Sequence, residues 1–178
     1  MDVDPRTIDW VEALHGAVDE LVRPIAQAHG ARLSCRSGCS SCCTDGLSVF
    51  EIEAAVIARH HADLLENGAP HEEGACAFLD GEGACTVYAH RPYVCRTQGL
   101  PLRWLDDEAL VEARDVCPKN LADDGTPLEE LAPETCWTLG PFESRLASRQ
   151  AAVDGGEGRR VPLRSLFREA RRHLTVIR

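Results

Sequence analysis

A small, mostly α-helical single domain, with irregular cysteine-rich loops and one candidate β-hairpin, is the fold class this sequence predicts. Three observations point there. The chain has 178 residues, and domains cluster near ~100–150 residues. It holds nine cysteines beside only nine aromatics (three Trp, two Tyr, four Phe), so a modest apolar core needs another staple. Segments of helical period flank a cysteine-rich stretch that has no period at all.

In chain order, Asp4-Pro5 opens a helix with proline at the first helical position. Trp10, Leu14, Ala17, Leu21 and Ile25 recur at helical spacing, and Pro24 is expected to kink or end the helix. Ser48-Val49-Phe50-Glu51 reads as a capping box that starts a helix running to about Glu66 and stopped by Asn67-Gly68. Phe50, Ala54, Ile57, Ala58 and Leu65 form its expected buried stripe. Leu102 to Ala113 reads equally as a hairpin turning at Asp106-Asp107 or as a short helix. Thr126-Pro127-Leu128-Glu129 starts a short helical piece, and Pro141 another. No repeat appears.

Composition excludes several classes. The 44% hydrophobic and 27% charged content does not fit disorder. Apolar runs such as Ala54 to Ala58 fall far short of the roughly 18 residues of a membrane span. The acidic start, MDVDPRTIDW, lacks the order of a secretory signal, so a cytoplasmic location is expected. Net charge is −10, yet residues 159–178 carry seven Arg against one Glu, a net of +6, leaving −16 on residues 1–158. An acidic body argues against nucleic acid, whose phosphates need Lys and Arg.

The cysteines carry the chemistry. Four of them fall within nine residues, Cys35-Arg-Ser-Gly-Cys39-Ser-Ser-Cys42-Cys43, and Cys76, Cys85, Cys95, Cys117 and Cys136 follow. Disulfides need an oxidising compartment, and adjacent Cys42-Cys43 pair poorly with each other. Buried inert thiols would sit among apolar neighbours, whereas the tetrad sits among Gly, Ser and Arg. Metal binding remains. Cys39-Ser-Ser-Cys42 points two thiolates at one ion, Gly38 supplies the tight turn, and Arg36 favours the thiolate. Neighbouring side chains on an extended backbone point opposite ways, so Cys42 and Cys43 are expected to serve different metals, or different atoms of one cluster. Asp80-Gly81-Glu82-Gly83 is a turn signal that lets Cys76 and Cys85 approach. This irregular spacing suits an iron–sulfur cluster better than two regular tetrahedral zincs, and Cys117-Pro118 echoes one ferredoxin ligand.

The tetrad, then Cys76-Ala-Phe-Leu, Cys85-Thr-Val-Tyr, Arg91-Pro92 and Cys95-Arg96, resembles the YkgJ-like cysteine-cluster family, a zinc- or iron-chelating domain with a CxxCxxCC signature. The likeness runs from about Cys35 to Asn120, with Thr97-Gln98-Gly99-Leu100-Pro101-Leu102 and Cys117-Pro118-Lys119-Asn120 resembling the extension of one branch. It implies Cys35, Cys39, Cys42, Cys43, Cys76, Cys85, Cys95 and Cys117 as metal ligands. The first gap holds three residues where the nominal signature has two. Cys136 matches nothing in the pattern and reads as a lone thiol. One similar relative, the flagellin lysine N-methylase, joins such a cluster to S-adenosylmethionine-dependent methyl transfer. This chain has no obvious extra domain for that cofactor, so the resemblance supports a metal site and leans against an enzyme.

Around the cysteines, Tyr88, Arg91 and Arg96 are the candidate cofactor-binding residues. Together with Arg103 they suit either an anionic ligand or, preferably, neutralisation of thiolate charge, since outer partners tune metal sites. His90 is the one histidine considered as a ligand. His60 and His61, adjacent on a helix, do not share a face and read as surface residues. Glu51, Glu53, Glu72 and Glu73 form no recognisable acid/base pair, and no phosphate loop or dinucleotide fingerprint is present.

The expected organisation is a metal-binding domain over 1–153, with its core over 35–120, a flexible Asp154-Gly155-Gly156-Glu157-Gly158 linker, and a basic amphipathic helix over 159–178. Leu163, Leu166, Phe167, Ala170, Leu174 and Ile177 fall on one face of that helix, and Arg164, Arg168, Arg171 and Arg172 on the rest. Docking onto the acidic body or in a homodimer is preferred over a protein partner, a membrane surface or nucleic acid. The expected cofactor is an iron–sulfur cluster, [4Fe–4S] foremost, with Zn as the alternative. The expected role is redox, sensing or metal handling. A cluster-assisted protein-modifying enzyme and a zinc-stabilised interaction module are the other two readings.

Overall fold

Asp4 begins the first helix as the sequence predicts. In the computed structural model, which describes residues 3–36, 38–106, 108, 110–121 and 126–167, its carboxylate accepts from the amides of Arg6 (3.0 Å) and Thr7 (3.1 Å), satisfying donors that open helix ends leave orphaned. Helix α1 spans Pro5–His29 and continues through Pro24 to Gly30, whose φ of 44° ends it. Pro24 therefore does not terminate the helix. The buried stripe is Val11, Leu14, Val18 and Ile25, while Leu21 is 52% exposed. The face is thus rotated from the expected one, because valines outcompete Leu21 and Ala17 for the core.

Ser48 is not a helix cap. Ser48–Phe50 forms strand β1, and helix α2 begins only at Glu51, running Glu51–His60. After a break at His61, α3 spans Ala62–Asn67 and stops before Gly68, as Asn67-Gly68 predicts. Ile52 and Val56 of α2 join one core with Val11, Leu14, Val18, Tyr93, Trp137 and Leu146. Ala54 and Ile57 join another with Val49, Phe78, Val87, Leu163 and Phe167. Wedged between two cores, α2 is apolar nearly all round, as a buried helix must be.

Short α4 (Tyr93–Thr97) follows the second cysteine loop. Then β2 (Leu102–Asp106) and β3 (Val111–Asp115) pair antiparallel, Leu102 opposite Asp115 and Asp106 opposite Val111. The hairpin reading of this segment therefore holds. Strand β4 (Trp137–Thr138) adds parallel to β2. Helix α5 (Pro141–Asp154) starts at the expected proline, and β5 (Arg160–Pro162) pairs antiparallel with β1, Val49 facing Val161. Two small sheets make the fold mixed α/β rather than mostly α. Such short strands leave no alternation to read, and β1 finds its partner more than a hundred residues away.

The expected 154–158 linker is a tight turn. Gly155 (φ 71°) caps α5, and the Asp154 carboxylate accepts from the amides of Gly156 (3.2 Å) and Arg159 (2.7 Å). Within the segment expected to be a helix over 159–178, Arg160–Pro162 is a strand, and Leu163, Leu166 and Phe167 are buried. The remainder of that helix, residues 168–178, lies outside the described residues. Among the described residues, no helix is long and apolar enough to cross a membrane.

Candidate metal centre

All nine cysteines are free thiols, and backbone pairing gathers those of the second segment around Cys43. The Cys76 amide donates to the Cys43 carbonyl (2.9 Å), beside an antiparallel bridge between Thr44 and Ala75. From Cys76 the chain turns back through Asp80, whose side chain accepts from the amides of Glu82 (2.9 Å) and Ala84 (2.8 Å). Gly83 takes a φ of 80° in that turn, a conformation that side chains resist. The return strand bridges Cys85 to Leu79, so the turn signal does bring Cys85 back beside Cys76. Both pack against the Phe78–Phe167 core. Helix α4 sets the position of Cys95. The Tyr93 amide donates to the buried Glu53 carboxylate (2.8 Å), and Arg96 reaches Asp19 of α1 (2.5 Å).

The other neighbourhood lies at the edge. The Cys39 amide donates to Arg36 O (2.9 Å) and the Cys43 amide to Ser40 O (2.9 Å), two tight turns that carry Cys39 and Cys42. Cys35 is held from a distant segment. The Asn120 amide nitrogen donates to Cys35 Sγ (3.3 Å) and Gly99 O (2.6 Å), and its oxygen accepts from the Ser34 amide (2.7 Å). Ser34 Oγ donates to Lys119 O (2.8 Å) and the Leu121 amide to Arg32 O (3.0 Å). Segment 32–34 thus runs along 119–121.

Electrostatics links the two neighbourhoods through Cys42 and Cys43. Burial first, and then Cys42, Cys76 and Cys85, push the Cys43 thiol up to about 12. Burial, and then Cys76, Cys85 and Cys43, push Cys95 up to about 12. Burial and then Cys76 raise Cys85, against the pull of the Arg91 guanidinium. Cys42 is raised by burial and then by Cys35 and Cys39. Neighbouring thiols oppose each other's ionisation because each thiolate destabilises the next. A bound cation inverts this logic and deprotonates its ligands. Sulfur-only donors suit zinc and iron, so the residues present fit either metal. Among the described residues, no three His, Cys, Asp or Glu side chains are drawn together closely enough to clasp an ion.

The arginines divide by role. Arg96 is 7% exposed and, besides Asp19, donates to Arg91 O (2.9 Å) and Ala89 O (3.0 Å). It is a strut between α1 and the 89–96 loop. Arg91 stacks over the exposed Tyr88 ring at 4.1 Å, within electrostatic reach of Cys85. Arg103 pairs with Glu112 (2.6 Å) in the hairpin. Cys136 is buried, beside Arg114 and Arg103.

Histidines surprise most. His60 and His61, read as unrelated surface residues, meet at His90. The rings of His60 and His90 stack at 3.9 Å, His61 Nε2 and His90 Nδ1 lie 2.9 Å apart, and His60 Nε2 reaches Glu12 (2.6 Å). His90 thus belongs to a histidine trio. Glu53, for which no partner was read, pairs in the core with His15 (3.2 Å). Nothing in the local sequence signals these contacts, or the clamp made by Asn120, because each partner lies at least 21 residues away.

This arrangement defines a cysteine-rich chelating domain. A family model described as "CxxCxxCC: Putative zinc- or iron-chelating domain" matches residues 34–118. The match begins one residue before Cys35 and ends one after Cys117, enclosing all eight clustered cysteines and excluding Cys136. No curated protein and no solved structure matches the chain.

Proposed function

We propose that Cys35, Cys39, Cys42, Cys43, Cys76, Cys85, Cys95 and Cys117 bind metal as thiolates, in iron–sulfur form with [4Fe–4S] foremost and zinc as the alternative. The observation that carries this reading is the meeting of Cys43, Cys76, Cys85 and Cys95 from two loops and helix α4. Each of Cys43, Cys85 and Cys95 is raised by at least one of the others. A fold gains nothing from crowding thiols that oppose each other's ionisation, unless a cation turns them into ligands. Arg91 is suited to offset the negative charge that clustered thiolates leave on such a centre. Redox, sensing or metal handling in the reducing cytoplasm is the role that fits free thiols.

For the basic tail, docking onto the chain's own body is the preferred role. Arg164, on its first turn, pairs with Asp45 (2.9 Å) and donates to His71 O (2.6 Å) and Ala75 O (2.8 Å).

The test is iron, zinc and acid-labile sulfide content, with a visible spectrum, on anaerobically purified protein. Iron with matching sulfide and a brown chromophore is the expected result. Stoichiometric zinc without sulfide would select the alternative and remove redox chemistry. Absence of both metals would overturn the proposal.

A further inference from the structure

We infer that Asn120 is a positioning residue for Cys35: its side-chain N–H holds the sulfur in a seat floored by Gly99, and stays on that sulfur when the thiolate takes a metal. This rests on the proposal that the thiols bind metal and deepens it, because it names the contact that prepares one of the ligands.

The orientation of the Asn120 side chain is fixed by its surroundings. Asn120 is 3% exposed. Its oxygen accepts from the Ser34 amide, and one N–H goes to Gly99 O. Exchanging oxygen and nitrogen would set donor against donor and acceptor against acceptor. The second N–H is left for Cys35 Sγ, 3.3 Å away, so both donors of the group are engaged.

Shape singles out the same atom. The Cys35 sulfur lies 2.5 Å from where a Cβ on residue 99 would stand, and Gly99 has a φ of 94°. Only glycine leaves that space empty and takes that backbone without strain. Gly99 lies just past α4, the helix that carries Cys95, so the seat ties Cys35 to that segment. Cys35 itself is exposed. Its sulfur is gripped by a buried side chain while the residue stays open to solvent, which suits a ligand that receives an ion from outside.

A neutral thiol accepts hydrogen bonds weakly, whereas a bond to an ionised acceptor is roughly twice as strong as a neutral one. A buried amide aimed at this sulfur therefore gains most when the sulfur is a thiolate, the form that binds metal. The same grip explains how Cys35 serves although three residues, not two, separate it from Cys39. Its place is set by a contact 85 residues away in sequence, not by the spacing of the loop.

The test uses full-length protein purified from zinc-supplemented cells, its zinc affinity read by competition with a chromogenic chelator. Asn120→Asp keeps an acceptor for Ser34 and loses the N–H on sulfur. It is expected to weaken zinc binding roughly 10–100-fold, as loss of an outer partner of a metal ligand does. Cys35→Ala is expected to weaken it as well, and Asn120→Asp to add little in the Cys35→Ala background. That non-additivity separates action through the sulfur from a general structural role. An equal effect of Asn120→Asp with and without the sulfur would overturn the inference, and so would unchanged zinc affinity in Cys35→Ala. Should Asn120→Asp fail to fold, wild-type protein loaded with NMR-active cadmium decides. A scalar coupling from the metal through Cys35 Sγ to the Asn120 side-chain N–H is expected, and bound cadmium without that coupling would overturn the assignment. Wild-type protein that holds neither zinc nor iron and takes up no cadmium would instead overturn the proposal that the thiols bind metal.

Discussion

Asn120 reaches three partners with one side chain, and removing it isolates each of them. Asn120→Ala leaves the Ser34 amide and Gly99 carbonyl without their partner, a loss on the order of 1–3 kcal/mol. The expected outcome is a lower urea midpoint with an unchanged slope, since the compactness of the folded state is kept. Asn120→Asp retains the acceptor for Ser34 but sets a carboxylate against a carbonyl and a sulfur, so it should be no milder. Gly99→Ala meets two obstacles, a left-handed backbone and a sulfur at 2.5 Å. It is expected to lower the melting temperature by several degrees, the backbone strain alone costing about 1–3 kcal/mol. Arg96 shows how a residue type misleads. An arginine after a cysteine suggests charge neutralisation, yet its donors go to Asp19 and two carbonyls, so its identity serves geometry.

Elements meet at the histidine trio, where the end of α2 touches the loop between Cys85 and Cys95. His61 is held below its ordinary 6.5 by burial and then by His60, and His90 by burial and then by His60 and His61. Glu12 opposes this at His90 without reversing it. A group whose folded pKa is depressed binds protons more readily in the unfolded chain. Stability is therefore present above about 6.5 and lost as pH falls below it. Protonation of both partners would also abolish the His61–His90 hydrogen bond, which needs one neutral acceptor. A falling melting temperature between about pH 7 and 5 is expected, flattened in His90→Gln. Asp45, held at about 2 chiefly by its bond from Arg164, acts in a lower window, its contribution disappearing as pH falls from 3.8 toward that value. Arg164→Ala removes this bond together with those to His71, Glu72 and Ala75. A loss of about 1.5–3 kcal/mol is expected in chemical denaturation.

At the scale of the whole molecule, two apolar cores share α2, while the cysteine loops hang on their edges. Residues 33–47 and 68–87 carry one short helical turn's worth of regular structure or less and rely on turns and isolated bridges. A structural zinc contributes ~10–16 kcal/mol apparent, comparable to the ~5–15 kcal/mol stability of a whole domain. Chelation should therefore collapse the thermal transition. Hydrogen exchange after metal removal should lose protection first over the cysteine loops at 38–47 and 68–87 and keep it longest in α1 and α2, where Val11, Val18, Ile52 and Ile57 are fully buried. An unchanged melt in metal-free protein would contradict the central role given to the thiols.

The sequence by itself determined where the thiols of this protein cluster along the chain. It marked out eight clustered cysteines and left Cys136 apart, and it located the starts of α1 and α5 and the stop at Asn67-Gly68. Each is a local property, because capping, turn formation and ligand type depend on residues a few positions apart. Only the tertiary structure decided which thiols are neighbours, that Ser48 begins a strand rather than a helix, that three histidines meet, and that Asn120 holds Cys35. Those outcomes depend on backbone pairings across tens of residues, such as Cys43 with Cys76 and Val49 with Val161. Hydrophobic period and residue spacing carry no record of such pairings, since each is settled by the joint packing of the two cores.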